Sequence, residues 1–435
     1  MRQNDHGRCG RTTTAGYHRR MADYVQRRAA KTIELALADT RIVVVNGARQ
    51  VGKSTLVRVV TAGRADVAER RLDRPTDLQG ARSDPESFVD HPGLLVVDEI
   101  QRAPELVLPI KAKVDTDDRP GQFLLTGSAR LLGLRSLPDA LIGRTETVEL
   151  WPFSQGEIDR SDDHFVDAIF EEHDRFSTGT GECDRDEYLA RAVRGGFPEA
   201  VRRDDGRRSR WFASYINDLI DRDVTQLSEI QRRPDLDRLL RMLAGRMAAP
   251  IQVQNVANAL NLPKSTIERY VALFEEVFLI KRLPAWSSSQ TGRAVGLRKL
   301  LFVDTGLAAH ASGGSLARLR RDRALAGPVL ENFVLAELAR QLTWAETFAR
   351  LYHYRDRDGR EVDAVIEHDD GRIVGIEVKA ASSVAADDFM HLTYLRRRIG
   401  DRLHRGLVLY TGDRVVPFGP GLWAVPIDAL WRTPS

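Results

Sequence analysis

Val43-Val44-Val45-Asn46-Gly47-Ala48-Arg49-Gln50-Val51-Gly52-Lys53-Ser54-Thr55 reads as a buried strand, a glycine-bounded loop and the first turn of a helix. The β-branched run suits a strand covered on both faces. Gly47 to Ser54 complete the pattern G-x-x-x-x-G-K-[ST]: the glycines let backbone N–H groups curl around an anion, and the following helix aims its positive dipole end at it. Lys53 is placed to reach the β and γ phosphates of a nucleoside triphosphate, and Ser54 to ligate magnesium. The expected nucleotide-binding set is Gly47, Ala48, Arg49, Gln50, Val51, Gly52, Lys53, Ser54 and Thr55, with ATP and Mg2+ as cofactors.

Downstream, Leu94-Leu95-Val96-Val97-Asp98-Glu99 is an apolar strand ending in two acids. Asp98 suits the magnesium shell at the strand's carboxyl end, and Glu99 suits orienting or deprotonating the attacking water. The next strand, Phe123-Leu124-Leu125, ends in Thr126-Gly127-Ser128, so a hydroxyl of Thr126 or Ser128 is a candidate to sense the γ-phosphate or the water. Hydrolysis also needs positive charge on the transferring phosphoryl group. Arg144 and Arg222 are the candidates, either within one chain or delivered by a neighbouring copy.

Around these motifs the chain reads as α/β. Residues 22–158 form a domain with a parallel sheet, with strands expected at Ile42 to Val45, Leu94 to Val97, Phe123 to Leu125 and Val148 to Leu150. Residues 159–187 are acidic, and rich in Gly, Ser and Thr around Phe176 to Gly181, which reads as a mobile connection. Residues 188–315 are dominated by helical periodicity, broken early by Gly195-Gly196-Phe197-Pro198. Residues 316–435 return to α/β text, with a helix through Leu330, Val334 and Leu338 and strands at Val362 to Ile366, Ile373 to Val378 and Gly406 to Tyr410.

At 435 residues and 42% hydrophobic content the chain can bury two or three cores, so about three domains are expected. No apolar stretch approaches the roughly 18 residues of a membrane span, and the first twenty residues carry no apolar signal core. The expectation is a cytoplasmic chain with no membrane partner. Cys9 and Cys183 lie far apart without metal-ligand spacing, which argues against a disulfide framework or a cysteine zinc site. The net charge is +3, but Met1 to Arg20 holds five Arg against one Asp, so the basic character belongs to an N-terminal arm (residues 1–21, read as disordered) and says nothing of DNA. Only eight of the 65 basic residues are Lys. The lysines therefore mark positions where Arg does not serve, Lys53 and Lys379 among them.

In the middle region, Val253 to Leu260, Asn261-Leu262-Pro263 and Lys264 to Tyr270 read as helix, tight turn, helix. Val256, Leu260, Ile267, Val271 and Phe274 are spaced to pack the two helices. Lys264, Ser265, Thr266, Arg269 and Tyr270 are then expected to project toward a DNA groove or phosphates. Phe278 to Leu283 and Lys299 to Val303 fit the strands of a wing. The same winged helix could serve as an interdomain strut, because Glu268, Glu275 and Glu276 dilute its positive surface.

Near the end, Glu331 on a helix, Asp363 on a strand and Glu377-Val378-Lys379 on the next have the form E, D, E-x-K. Alternation places Glu377 and Lys379 on one strand face. Glu331, Asp363 and Glu377 would hold a second magnesium ion that activates water for phosphodiester cleavage, with Lys379 positioning that water. A non-catalytic domain that uses the same fold for binding is the competing reading.

These motifs, with Asp98-Glu99-Ile100-Gln101, Trp151-Pro152-Phe153-Ser154, Gly195-Gly196-Phe197-Pro198-Glu199 and Leu330-Glu331-Asn332-Phe333-Val334, together resemble one prokaryotic family. It is the family of predicted AAA-type ATPases whose C-terminal region is known only as a domain of unknown function. The resemblance covers nearly all of the chain beyond Tyr24. It implies an AAA-like ATPase, a helical and winged-helix middle and a restriction-endonuclease-like C-terminal domain. The acidic connection and the Arg-rich arm depart from the family's pattern. The reading is an ATP-dependent switch or motor that engages DNA, with an ATP-gated nuclease and a signalling ATPase that binds protein partners as alternatives. Assembly into a homo-oligomer is compatible with each.

Overall fold

The computed structural model describes residues 24–128, 141–171, 180–224, 233–289, 292–293 and 296–433. The N-terminal arm lies outside them. Five strands, β1 (Ile42–Asn46), β2 (Val67–Arg71), β3 (Leu94–Asp98), β4 (Phe123–Gly127) and β5 (Thr145–Glu149), form a wholly parallel sheet in the order β2-β3-β4-β1-β5. The central strands β1, β3 and β4 are buried along their whole length, as apolar runs in a parallel sheet require. Alternate residues part to opposite faces: Val43, Val45 and Leu124 join one core with Ile33 and Leu37, while Ile42, Val44 and Leu125 join another with Ile110 and Val114. The order sets β4 between β1 and β3, so Thr126, at the end of β4, stands between the phosphate loop and the acidic pair.

Helices Arg185–Arg194, Asp205–Asp218, Arg233–Ala244, Val253–Leu260 and Lys264–Glu276 follow, with the antiparallel ribbon β6 (Ile280–Leu283) and β7 (Lys299–Phe302). Asn261, with φ 53°, closes the helix Val253–Leu260 and turns the chain into the next. Val256, Leu260, Ile267, Val271 and Phe274 are all buried between these helices. Two loop motifs meet below them: the Phe153 amide donates to the Gly196 carbonyl at 2.8 Å, and the Gly196 amide to the buried Asp304 carboxylate at 2.7 Å. A Cβ on Gly196 would collide with the Phe153 backbone, so this crossing needs glycine.

The C-terminal part is a mixed six-stranded sheet of β8 (Ala349–Arg355), β9 (Glu361–His368), β10 (Ile373–Lys379), β11 (Leu403–Tyr410), β12 (Val416–Gly419) and β13 (Leu422–Pro426), ordered β12-β13-β11-β10-β9-β8. Strands β10, β11 and β13 run parallel and the outer pairs antiparallel. The helix Arg323–Gln341 packs against β10 and β7.

One expectation is corrected. Of residues 159–187, the described parts are docked and not a mobile connection. Phe165, Val166, Ile169 and Phe170 are buried, the Val166 amide donates to Gln341 Oε1 at 3.2 Å, and Arg372 reaches the Phe170 carbonyl at 2.6 Å. The apolar residues among the acids, which the charge of the segment masks, supply the reason. Residues 172–179 lie outside the described residues.

Candidate functional site

At the carboxyl end of β1 the backbone turns through Gly47, Gln50 (φ 59°) and Gly52 (φ 101°) before the helix Lys53–Thr61 begins. A Cβ on Gly47 would collide with the Leu150 carbonyl, so loop and β5 are pressed together at that point. The buried Lys53 ammonium donates to the carbonyls of Gly47 (2.8 Å) and Ala48 (2.9 Å), which folds the loop around the charge that would meet phosphate. Ser54 Oγ lies 3.0 Å from Asp98 Oδ2, and Thr126 Oγ1 donates to the same carboxylate. A hydroxyl and a carboxylate held together at the mouth of a phosphate loop are the hard oxygen donors that Mg2+ takes beside substrate phosphates.

Glu99 stands beside this pair in the left-handed region, φ 62°, which swings its side chain away from that of Asp98. Its amide donates to Thr126 Oγ1 at 3.2 Å, and its carboxylate accepts from Ser128 Oγ (3.2 Å) and from the Gln101 amide. Gln101 also reaches Ser128 Oγ at 3.1 Å. The structure thus brings together Lys53, Ser54, Asp98, Glu99, Thr126 and Ser128, and adds Gln101, which the Asp-Glu-Ile-Gln run contained but the strand-based reading left without a role.

Sequence reasoning also missed Arg27. Its guanidinium is buried behind the loop, donating to the Val51 carbonyl (3.0 Å), the Trp151 carbonyl (2.6 Å) and Glu157 Oε1 (3.0 Å), and lying over the Phe153 ring. Glu157 is itself fixed by the capping box it forms with Ser154. The Trp-Pro-Phe-Ser motif is thereby explained as the socket for this arginine. Nothing in the local pattern around Arg27 sets it apart from the many other arginines.

Beside the loop lies a cavity of about 580 Å³ whose walls come from Tyr24, Val51 and Thr55 on one side and Pro198, Arg202 and Trp211 on the other. Arg144 does not share this neighbourhood. It immediately precedes β5, at the edge of the sheet opposite the phosphate loop, and its Nη2 lies 3.1 Å from Asp115 Oδ2. It cannot reach phosphates bound by its own chain, which corrects the within-chain form of that expectation. Arg222 falls in the π-helical turn Leu219–Val224, and its side chain lies outside the described residues.

On the helix Lys264–Glu276, Lys264, Ser265 and Arg269 are exposed and Thr266 is half-buried. Tyr270 corrects the expectation that it projects: it is 3% exposed, because it completes the apolar face with Ile267 and Val271. Lys264 is partly neutralised by Glu268, at 3.6 Å.

In the C-terminal part, Glu331 and Asp363 do converge, but the third carboxylate beside them belongs to Glu361 and not to Glu377. The centre of this trio holds the ammonium of Lys299, from β7: 2.6 Å to Glu331 Oε1, 2.9 Å to Glu361 Oε1 and 3.4 Å to Asp363 Oδ1. The Lys299 side chain is 0% exposed. Burial alone would lower its pKa, but the Glu331, Asp363 and Glu361 carboxylates outweigh that and hold it well above the ordinary lysine range. Burial and the Asp363 charge push Glu331 up to about 8. Glu377 is likewise raised by burial and by Asp363, and it sits to the side, 3.8 Å from Lys379 and 3.6 Å from His391. Lys379 also faces Asp388, at 3.7 Å. These residues do not fit a second magnesium ion in this arrangement, since an ammonium and a dication cannot share the same three oxygens. Lys299 is one of the eight lysines, and the scarcity of Lys was the signal that could have singled it out.

Comparisons with known proteins match three stretches of the chain. Residues 39–159 match an AAA domain family, residues 185–318 a domain of unknown function (DUF8612) and residues 326–430 another (DUF4143). The first match, the strand order and the loop together define the N-terminal part as a P-loop ATPase domain. The C-terminal match names no activity. Uncharacterized proteins of Mycobacterium bovis and Mycobacterium tuberculosis are each 28% identical over 415 residues, which is 94% of this chain and 85% of the relative. One from Haemophilus influenzae is 24% identical over 260 residues, 57% of either chain. Among solved structures, the chain is similar to the Walker-type ATPase of Pyrococcus abyssi (15% identity, 67% of this chain and 96% of that one, TM-score 0.39). It is also similar to the RuvB Holliday junction branch migration motor of Thermotoga maritima (17% identity, 61% and 92%, TM-score 0.29). At these TM-scores neither overlap bears on the assignment. No helix among the described residues is long and apolar enough to cross a membrane.

Proposed function

We propose that the chain hydrolyses ATP as an AAA-type molecular switch, and that its helix-turn-helix region, read as a winged helix, engages DNA. The observation that carries the reading is the cavity beside the phosphate loop. Its walls belong to the phosphate loop and its flanks on one side and to Pro198, Arg202 and Trp211 of the helical region on the other, so a nucleotide whose phosphates sit on the loop would touch both. Bound and hydrolysed nucleotide would then favour different arrangements of the two parts, which is what a switch requires.

Ser54 and Asp98 would hold the magnesium ion, which would supply positive charge at the β and γ phosphates. Lys53 would leave the loop carbonyls for the phosphate oxygens. Glu99 would accept a proton from the attacking water as its oxygen bonds to the γ-phosphorus and the bond to the ADP oxygen breaks. Ser128 and Gln101 fix the Glu99 carboxylate, and Thr126 ties its backbone to the Asp98 side. The base and sugar would lie toward Tyr24 and Trp211. If Arg144 contributes charge, a second copy must deliver it.

Lys264, Ser265, Thr266 and Arg269 are the side chains offered to DNA. The nuclease alternative draws no support from the C-terminal trio while Lys299 fills it. Phosphate release from ATP by the unaltered chain, lost in Lys53→Ala and in Glu99→Gln, tests the first half of the reading. Duplex DNA binding that weakens steeply with salt and with Lys264→Ala tests the second. Turnover without any such binding would leave the signalling alternative.

A further inference from the structure

β7 is held at both ends by two adjacent residues of the helix Arg323–Gln341. Glu331 takes the Lys299 ammonium at the start of β7, and its neighbour Asn332 takes the end of that strand: Asn332 Oδ1 accepts from the Phe302 amide at 2.8 Å, while Nδ2 donates to the Phe302 carbonyl (3.2 Å) and to Thr305 Oγ1 (3.0 Å). Asn332 is fully buried. Asp363 is engaged twice over, its Oδ1 facing Lys299 and its Oδ2 accepting from the Val378 amide at 2.9 Å. One oxygen of each carboxylate thus faces the ammonium of a strand from another part of the chain, while the second oxygens of Asp363 and Glu361 pair within the C-terminal sheet, with the Val378 amide and Arg355.

We propose that the Lys299 ammonium is the resident cation of the Glu331–Glu361–Asp363 cluster, so that the cluster latches the β6–β7 ribbon to the C-terminal sheet and is closed to divalent metal for as long as the strand is seated. The chemistry is a substitution of one cation for another. An ammonium offers three N–H donors to three carboxylates, with a single charge. A hard dication would take the same oxygens only after the lysine has left. The three ligand oxygens lie within 4.8 Å of one another, so an empty centre would be a repulsive cluster that binds either protons or a metal.

The test is Mn2+ binding, followed by electron paramagnetic resonance on the full chain without nucleotide, so that it stands apart from the ATPase reading. The unaltered chain and Glu331→Gln should bind Mn2+ alike. Lys299→Met should gain one Mn2+ per chain, and Lys299→Met with Glu331→Gln should lose it again. A folded Lys299→Met chain that gains no site overturns the proposal. So does Mn2+ binding by the unaltered chain that Glu331→Gln removes, and this second comparison decides the matter if Lys299→Met does not fold.

Discussion

Lys281, on β6, reaches Glu149 at the end of β5 with Nζ 2.7 Å from Oε1, and lies over the Trp151 ring at 4.6 Å. The ribbon is therefore tied at two ends by two lysines, Lys281 to the strand that presses on the phosphate loop and Lys299 to the C-terminal trio. The Lys281 pair is only partly shielded, so its worth is modest. Lys281→Met should cost about 1 kcal/mol of unfolding free energy, Glu149→Gln about the same, and the double variant clearly less than their sum. Urea unfolding of the four chains checks this; full additivity would mean the pair does not interact.

Arg27 predicts a larger loss. Its removal leaves Glu157 buried without its cation and the Val51 and Trp151 carbonyls without their donor. Arg27→Met should destabilise the chain by about 3–5 kcal/mol, the range for one partner of a buried pair, and ATP affinity should fall with it because Val51 belongs to the phosphate loop. A variant equal to the unaltered chain in thermal unfolding would refute this role.

At the nucleotide site, Glu99→Gln should cut turnover about 100-fold or more while ATP is still bound, since a general base contributes about that much. Ser128→Ala should lower kcat less, by about tenfold, with little change in ATP affinity, because Ser128 touches the Glu99 carboxylate it positions and the Gln101 amide beside it. Single-turnover phosphate release beside equilibrium nucleotide binding separates these outcomes. A rise in Kd without loss of kcat in Ser128→Ala would place the hydroxyl on the nucleotide instead.

The nucleotide site was legible because its side chains are adjacent to glycines and strand ends whose spacing is dictated by phosphate geometry. The same is true of the central strands, which are long apolar runs. The edge strand β2, Val-Ala-Glu-Arg-Arg, was not legible: one side is open to water, so it carries charges and shows no apolar run. Arg27 and Lys299 were hidden for another reason. Each acts on residues far along the chain, Glu157 and Glu331, and a buried charge announces itself only when its partners are in view. Of the E, D, E-x-K residues the structure brings only Glu331 and Asp363 together, because register alone could not tell that Glu361 would stand where Glu377 was expected.

His353 supplies a pH signature. Its ring is 1% exposed, Nε2 pairs with the Leu297 carbonyl at 2.8 Å, and burial, followed by the nearby Lys299 charge, lowers its pKa to about 4. The unfolded chain takes up that proton near pH 6.5, the folded chain only near pH 4. Between those values the unfolded state binds more protons, so stability present above pH 6.5 is lost as the pH falls, by about 3 kcal/mol in all. His353→Gln should flatten that part of the stability curve, measured by denaturant unfolding at stepped pH. An unchanged slope would assign the acid sensitivity to other groups.

The helix Lys264–Glu276 gives the sharpest test of nucleic-acid contact, because only its first two turns present donors. Lys264 and Arg269 are exposed, while Tyr270 is turned inward. If the helix N-terminus meets phosphates, Arg269→Ala should weaken duplex binding about uniformly across sequences and reduce the salt slope by about one, whereas Glu268→Gln should strengthen binding by freeing Lys264 from its 3.6 Å partner. Tyr270→Phe should change nothing, since its ring is already spent on the core. Fluorescence anisotropy of a labelled duplex across a salt series reads all three. Binding that ignores Lys264, Glu268 and Arg269 together would make these helices a strut between the ATPase sheet and the C-terminal domain.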